Sequence, residues 1–258
     1  MRAMSIVTRI RLAIGIGIAA AVVLLFVPAI PQPQDYHRFA DDRARLGIPN
    51  FANVASNLPF AAAGIAGLIL LAVRRAPRDV VTLLFAVHFV SQILIAAGSG
   101  YYHWAPDDAG LFWDRLSLSV VLMTALSIAI ADRIGERAGA VTCLPAVVVG
   151  ALSVVCWKVS GDLRVWGLVQ FYAMAAIAVA AMVPGRFVRT ADWLILVGWY
   201  AAAKACELLD RPIFEFLGGT VSGHTLKHLL AGVGAGWVVW MAARVGRGIK
   251  TASVTRST

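Results

Sequence analysis

The side chains in this sequence that are best able to do chemistry are three histidines, one aspartate and one serine. His224 and His228 are four residues apart, so on a helix both rings project from one face and can share a metal ion. Thr225 stands where a His-Glu-x-x-His metalloprotease would have its glutamate. A third metal ligand and a general base must therefore come from elsewhere in the chain.

His103 and Asp114 are available for these two roles, at the end of one apolar stretch and the start of the next. Three imidazoles and a water form a catalytic zinc set, and bound Zn²⁺ lowers the pKa of its water to about 7. Asp114 could accept the proton of that water, and Ser99, one helical turn before His103, could donate to a developing oxyanion. The structural alternatives are an Asp114–Arg115 ion pair and a bond from Ser99 to its own helix.

The composition of the 258-residue chain is that of an integral membrane protein. Hydrophobic residues make up 60% and charged residues 14%, whereas soluble domains are about 45–50% apolar and about 25% charged. So few charges cannot cover a water-soluble globule, and the composition also excludes disordered, collagen-like and disulfide-stapled proteins. The net charge of +9 is typical of basic cytoplasmic loops, and no basic cluster with interleaved aromatics indicates a nucleic-acid partner.

A helix that crosses a membrane needs about 20 mostly apolar residues, and eight stretches meet this requirement. Each is rich in Ala and Leu and lacks the alternation of a strand, so each is predicted to be helical, and together they form a helical bundle. The predicted spans are Ile10–Ile30, Phe51–Val73, Val80–Tyr102, Leu111–Ala131, Ala140–Trp157, Val165–Val183, Trp193–Leu209 and His224–Ala243.

The distribution of basic residues predicts the orientation of these spans. With both termini inside, 14 of the 23 Lys and Arg residues lie in cytoplasmic segments and six lie in the opposite loops. The ends of the spans that carry His103, Asp114 and His224 then face outward. The first span could instead be a cleaved signal peptide, but its long apolar run and the lack of an Ala-x-Ala site favour a retained helix.

Four short segments of the sequence carry a family resemblance. They are Asn50–Leu58, Ser99-x-x-x-His103, Trp113-Asp114-Arg115-Leu116 and His224-x-x-x-His228. In their order, and in the spacing from His103 to Asp114, the chain resembles the alkaline ceramidase and alkaline phytoceramidase family from about Asp35 to the end of the eighth span. That family belongs to a superfamily of seven-helix membrane hydrolases that includes the adiponectin and progestin receptors.

The resemblance implies a zinc-dependent hydrolase of lipid metabolism. Zinc would be held by His103, His224 and His228, with Ser99 and Asp114 catalytic, and the reaction would cleave the amide of a ceramide-like membrane lipid into a fatty acid and a sphingoid base. The implied fold is an all-α integral membrane protein, with a seven-transmembrane-helix bundle at 35–245. An extra N-terminal transmembrane helix occupies 1–34 and a basic cytoplasmic tail 246–258. The expected location is a bacterial inner membrane, with the active site at the outer face.

Some members of the resembled family also bind calcium ahead of the core. The corresponding segment of this chain offers oxygen ligands of the kind Ca²⁺ accepts: Asp35, Asp41, Asp42 and Asn50. Asn50 stands where the family has a carboxylate, and the spacing of the acidic residues differs. The alternative is that Asp41 and Asp42 pair with Arg43 or Arg45 at the surface.

The remaining polar residues within or near the spans are predicted to be architectural. The Asn53–Ser56–Asn57 stripe would make interhelical hydrogen bonds or support the metal site from outside, and Lys204 with Glu207 would form an internal charge pair. His88 lies too far from His103 to share a site, and His37 is predicted to be solvated. Cys143, Cys156 and Cys206 lie in apolar stretches and are predicted to be buried, free thiols.

Two other functions compete with the hydrolase. One is a receptor or sensor of the same fold, in which zinc only locks the helices together. The other is an electron carrier that presents its histidines to haem. Ser99 and Asp114 together favour the enzyme over the receptor.

Overall fold

The computed structural model describes residues 15, 17–19, 21–24, 26–74 and 79–254, with side chains described as far as 245. Over these ranges the chain is all-helical and forms no β-strand. A short 3-10 turn, Gln34–His37, precedes the helices of the bundle. These helices are α1 (Phe51–Ala55), α2 (Leu58–Val73), α3 (Val80–Trp104), α4 (Asp108–Arg133), α5 (Glu136–Ser160), α6 (Arg164–Ala181), α7 (Thr190–Leu208), α8 (Asp210–Phe216) and α9 (Gly223–Val254).

Six segments of the described residues are long and apolar enough to cross a membrane, which makes this a multi-pass membrane protein. They are α1 with α2 as one segment, then α3, α4, α5 and α6, and Gly223–Val245 within α9. All six coincide with predicted spans, although the helices extend further at several ends. The prediction of a helical membrane protein is therefore confirmed.

The first and seventh predicted spans are not among those six. In the seventh, α7 is a full-length helix, but Asp192, Lys204 and Glu207 make it too polar to be recognised as a span by composition alone. The first span lies partly outside the described residues, and since residues 26–33 are not helical, its helix does not extend to Ile30 as predicted. A total of seven or eight crossing helices stays a prediction.

The long helices form a closed ring. Helix α3 packs between α2 and α4, α6 packs between α4 and α7, and α9 packs against α7 and α2 to close the circuit. Helix α5 lies outside, against α4 and α6. This arrangement makes α4 the most buried of the six candidate spans, and it leaves a space inside the ring.

Three helix ends meet at one end of the ring and bring the candidate site residues together. His103 lies in the last turn of α3, which ends at Trp104, and α4 begins four residues later with Asp107 capping the Gly110 amide (Oδ1···N 2.6 Å). Helix α9 starts close to the end of α7, where a Cβ on Gly223 would lie 2.3 Å from the Cys206 carbonyl oxygen. Only glycine fits at this position, which sets the depth of His224.

A buried aspartate ties α4 to α7 at the opposite end of the ring. Asp132 is fully buried, and its Oδ1 accepts hydrogen bonds from three consecutive backbone amides of residues 186–188, at 2.8–3.1 Å. Its Oδ2 accepts from the Trp193 indole at 3.0 Å and pairs with Arg133 at 2.9 Å. These partners satisfy the buried charge and fix the loop that precedes α7.

Close glycine packing joins α2 to α3 and yields a stability prediction. A Cβ on Gly64 would lie 2.5 Å from the backbone oxygen of Phe89, which cannot move aside, whereas a Cβ on Gly198 of α7 would meet nothing within 4 Å. Since small residues let membrane helices approach closely, we expect Gly64→Ala to destabilise the detergent-solubilised protein by about 1–3 kcal/mol. Gly198→Ala should have little effect. Equal unfolding temperatures for the two variants would contradict this packing.

Candidate metal centre

Three histidine rings from two helices form a compact buried triangle. The ring centroids of His103, His224 and His228 are 4.7–5.0 Å apart, and all three side chains are at most 4% exposed. One potential ligand atom from each ring lies within 4.8 Å of the others. In the part of the chain that the structure describes, this is the one group of three or more His, Cys, Asp or Glu side chains that could hold a metal ion.

The spacing of the ring nitrogens fits a metal ion. The Nε2 atoms of His103 and His228 are 3.2 Å apart, and two nitrogens bound to one tetrahedral Zn²⁺ at about 2.0–2.1 Å would be about 3.3 Å apart. The Nδ1 of His103 is buried without a hydrogen-bond partner among the described residues. Because the Nε2 of the same ring faces His228, this Nδ1 would not contact the same ion. Three imidazoles at this spacing could nevertheless share one cation through one nitrogen each.

Ser56 supports His228 from behind and determines which ring nitrogen faces the cluster. The Ser56 hydroxyl lies 3.0 Å from the carbonyl oxygen of Asn53 and 2.8 Å from Nδ1 of His228. If the hydroxyl donates to the carbonyl, it must accept from an Nδ1–H, and the Nε2 lone pair of His228 is then free to point at His103. Such supporting hydrogen bonds orient metal-bound histidines in many proteins.

Residues of α1 and α8 hold the start of α9 in place. Asp210 accepts the His224 backbone amide (Oδ1···N 2.7 Å), and the Thr225 hydroxyl donates to Asn53 (2.9 Å). Asn53 therefore supports both turns of α9 that carry histidines. Its side chain accepts from Thr225, and its backbone carbonyl accepts from Ser56, which contacts His228. The Asn53–Ser56–Asn57 stripe predicted from the sequence thus lies behind the cluster of three histidines.

Ser99 and Asp114 face each other across α3 and α4 at the edge of the cluster. Both are buried, at 3% and 8% exposure. The ion-pair alternative is not realised, because Asp114 forms no ion pair with Arg115 among the described residues. Ser99, Asp114 and His228 all line one cavity of about 520 Å³.

That cavity is the space inside the helix ring, and it is polar at one end. Residues of α3, α4, α6, α7 and α9 line it, with mostly apolar side chains below the metal cluster. Its volume lies within the range of about 300–1,000 Å³ that is usual for small-molecule sites. An apolar chain with a polar head would therefore fit with its head beside His228, Ser99 and Asp114.

A charged trio lies on the cavity wall next to the histidines. Glu207 pairs with Lys204 and with Lys227 (Nζ···Oε1 2.8 Å), and it also accepts from the Tyr36 hydroxyl at 2.7 Å. Lys227 Nζ is in turn 3.3 Å from Nε2 of His224. The predicted internal pair of Lys204 and Glu207 is confirmed, and Lys227 extends it to the metal cluster.

The segment before α1 covers the outer side of the histidines. The Phe39 ring packs against the rings of His103 and His224, with centroids 4.7 and 4.8 Å apart. The Asn50 amide donates to the His103 carbonyl at 2.9 Å. Phe39 and Asn50 therefore cover His103 and His224, neither of which lines the cavity.

Three of the four residues predicted as calcium ligands, Asp35, Asp41 and Asn50, have other partners in the structure, and Asp42 is exposed. Arg43 clamps Asp41 through two hydrogen bonds of 2.6 and 2.7 Å, while Asp35 pairs with Arg38 at the surface. Asn50 is used by His103, as above. Because Asp35, Asp41 and Asp42 form no ligand cluster in the described residues, the surface-pairing alternative explains Asp41, and calcium stays a prediction without a formed site.

Three predictions about individual residues need correction or extension. His37 is not solvated, because it bridges the Tyr102 hydroxyl (3.0 Å) and Asp108 (3.1 Å) with its side chain 11% exposed. The cysteines are free as predicted but not buried, since Cys156 is exposed and the other two are half-buried. His88 is absent from the metal cluster, as predicted, yet it lines the far part of the same cavity.

Several residues important to the site had little signal in the sequence. The covering role of Phe39 depends on a loop without regular structure, and the contact of Lys227 with His224 depends on rotamers. Ser56 was detectable only as one member of a polar stripe. Spacing along a helix predicts which residues share a face, but it does not identify their partners on other helices.

The contact between Ser56 and His228 predicts weaker metal binding when the hydroxyl is removed. We expect Ser56→Ala to lower the affinity for Zn²⁺ about 10–100-fold, measured by competition with a chromophoric chelator, while the chain still folds. Ser153→Ala is the matched control, because Ser153 is equally buried and bonds only to a carbonyl of its own helix. Unchanged zinc affinity in Ser56→Ala would contradict the role assigned to this hydroxyl.

The clamp on Asp41 predicts a loss of stability in acid. Hydrogen bonds from Arg43 lower the pKa of Asp41 below its usual value, which is about 3.9 in unfolded chains. Its stabilising contribution is therefore complete above about pH 4 and disappears as the pH falls through the lower folded-state pKa. We expect thermal unfolding temperatures to fall more steeply with acid in the wild type than in Asp41→Asn. Asp35→Asn, at an exposed pair, should track the wild type.

Comparison with known proteins adds no relative to this description. No family model matches the chain, and no curated protein is significantly similar to it. What supports a function is therefore the site itself: a buried cluster of three histidines that could hold a metal ion, at the polar end of a cavity inside a multi-pass membrane protein.

Proposed function

We propose that the protein is a zinc-dependent membrane hydrolase that cleaves the amide of ceramide-like N-acyl lipids into a fatty acid and a sphingoid base. The observation that carries this proposal is the shared cavity: His228 of the metal cluster, Ser99 and Asp114 line the same largely apolar space within the membrane-spanning helices. A lipid chain in that space would bring its head to all three side chains. The motif resemblance to alkaline ceramidases supports the same reaction.

The residues of the site would divide the work of amide hydrolysis among them. Zinc bound by His103, His224 and His228 would supply Lewis-acid activation of the amide carbonyl and of a water. Asp114 would accept the proton of the attacking water and later deliver it to the leaving nitrogen. The Ser99 hydroxyl, on the same cavity wall, would donate to the oxyanion as charge develops.

The surroundings of the site suit a lipid substrate. The apolar walls of the cavity would bind an acyl chain by excluding water, and the segment containing Phe39 would keep bulk water from the histidines. The basic residues concentrate on the opposite side of the membrane, so we expect the site at the outer face of a bacterial inner membrane.

A receptor with a structural zinc site is the competing function, because a cavity of this kind could also bind a lipid without cleaving it. The presence of both Ser99 and Asp114 in the cavity lining favours the hydrolase, since a metal that only locks helices together requires neither side chain. The absence of a Soret band in purified protein would remove the haem alternative.

The division of roles predicts that catalysis can be separated from metal binding. We expect Asp114→Asn to lower ceramide turnover by about 10²–10⁴-fold, the usual value of general acid–base catalysis, while about one zinc per chain is retained. His228→Ala should lose both zinc and turnover. Product release would be followed by mass spectrometry, and zinc by elemental analysis of the same samples.

The control for this experiment is Ser153→Ala, which should keep both activity and zinc. Full turnover in Asp114→Asn would refute the role of this carboxylate. A zinc-loaded wild type that binds N-acyl lipids but releases no product from any of them would favour the receptor.

A further inference from the structure

One arginine on the cavity wall lacks a counter-ion. Arg115 is 6% exposed, and no carboxylate of the described residues lies within ion-pair distance of it. Its Nη2 donates to the neutral amide oxygen of Gln32 at 2.6 Å, and its guanidinium carbon lies 4.1 Å from the centre of the Trp157 ring. Its Nη1 has no hydrogen-bond partner in the described part of the chain. A buried guanidinium with a free donor is costly unless an anion completes it.

The carboxylates near the cavity wall have other partners than Arg115. Asp162 pairs with Arg164, a second arginine on the same wall, at 2.7 Å. Glu207 is already engaged by two lysines and a tyrosine. Once Arg164 is set aside with its partner Asp162, the lining side chains still include three cations, Arg115, Lys204 and Lys227, against two carboxylates, Asp114 and Glu207. The polar end of the cavity has an excess of positive charge.

From this imbalance we infer that the preferred substrate carries an oxyanion, a carboxylate or a phosphate, on the amine half of its amide. The inference rests on the proposed function, which places the amide beside Asp114. Arg115 is the next residue along the helix, so the two Cα atoms are about 3.8 Å apart, and both side chains line the cavity. A charged oxygen a few bonds from the amide nitrogen would reach the guanidinium and use its free donor.

A neutral ceramide would leave the buried guanidinium of Arg115 without a counter-ion. Its hydroxyls can accept a hydrogen bond, but they carry no charge to offset the guanidinium. An anion at the far end of the acyl chain would not reach Arg115 either, because that chain would extend into the apolar part of the cavity. The alternative is that Arg115 only anchors Gln32 and Trp157, and in that case the charge of the lipid would not matter.

The test measures lipid preference in two matched pairs. The full-length protein in neutral detergent would be given N-oleoylglycine against its methyl ester, and ceramide 1-phosphate against ceramide. Turnover is measured with the wild type, and equilibrium binding by calorimetry with Ser99→Ala, which slows cleavage without changing any charge. We expect the anionic member of at least one pair to bind about tenfold more tightly or better. The pair that shows the preference identifies a carboxylate or a phosphate as the anion.

Substitutions of the two cavity arginines assign the preference to a residue. In R115Q the anionic and neutral lipids should bind within about twofold of each other, whereas R164Q should keep the wild-type ratio, because Arg164 already has its aspartate. An unchanged ratio in R115Q, or no preference in either wild-type pair, would overturn the inference.

A third lipid makes the test independent of whether R115Q folds. An N-acyl amine whose carboxylate lies at the far end of the acyl chain has the same charge as N-oleoylglycine, and it should gain nothing over its own methyl ester. An equal gain would show general attraction to a basic protein and would also overturn the inference. Charge-dependent binding without turnover of any lipid would refute the hydrolase alone, and turnover of ceramide without charge preference would refute the anion site alone.

Discussion

The structure depends on bringing three imidazoles to one point inside a membrane protein. Each ring has a nitrogen that needs a proton, a donor or a metal, and the three ring centroids lie 4.7–5.0 Å apart. One proton between His103 and His228 could satisfy a single pair of nitrogens. A shared cation satisfies all three at once, and it would then link the end of α3 to the start of α9 as firmly as any packing contact.

The same meeting of helix ends gives the cavity its polarity. Because α9 packs against both α7 and α2, the ring closes around a space that is lined by apolar side chains over most of its depth. Its charged side chains lie where α7 ends and where α4, α6 and α9 begin, while His88, Gln92 and Gln170 line other parts of the same space. A ligand with a charged head is therefore most stable with that head beside the charged side chains.

The sequence predicted the parts of the molecule that depend on local pattern. Long apolar stretches identified six spans, and the four-residue spacing of His224 and His228 placed two ligands on one face. His103 followed because the end of its apolar stretch was predicted to lie at the same membrane face as the start of the last span. The helix end near residue 26 and the burial of His37 were missed, because both depend on contacts with distant segments that leave no periodic signal.

The charged residues of the site also show that a helical pattern predicts neighbours on one helix but not contacts between helices. A helical pattern placed Lys204 beside Glu207, but it could not reveal that Lys227 completes the trio from another helix. Nor could it reveal that Arg115, next to an aspartate in sequence, forms no ion pair with it in the described structure. Consecutive residues on a helix project about 100° apart, so Asp114 and Arg115 face different neighbours. Because Asp114 and Arg115 form no ion pair, Arg115 remains on the cavity wall without a carboxylate partner among the described residues.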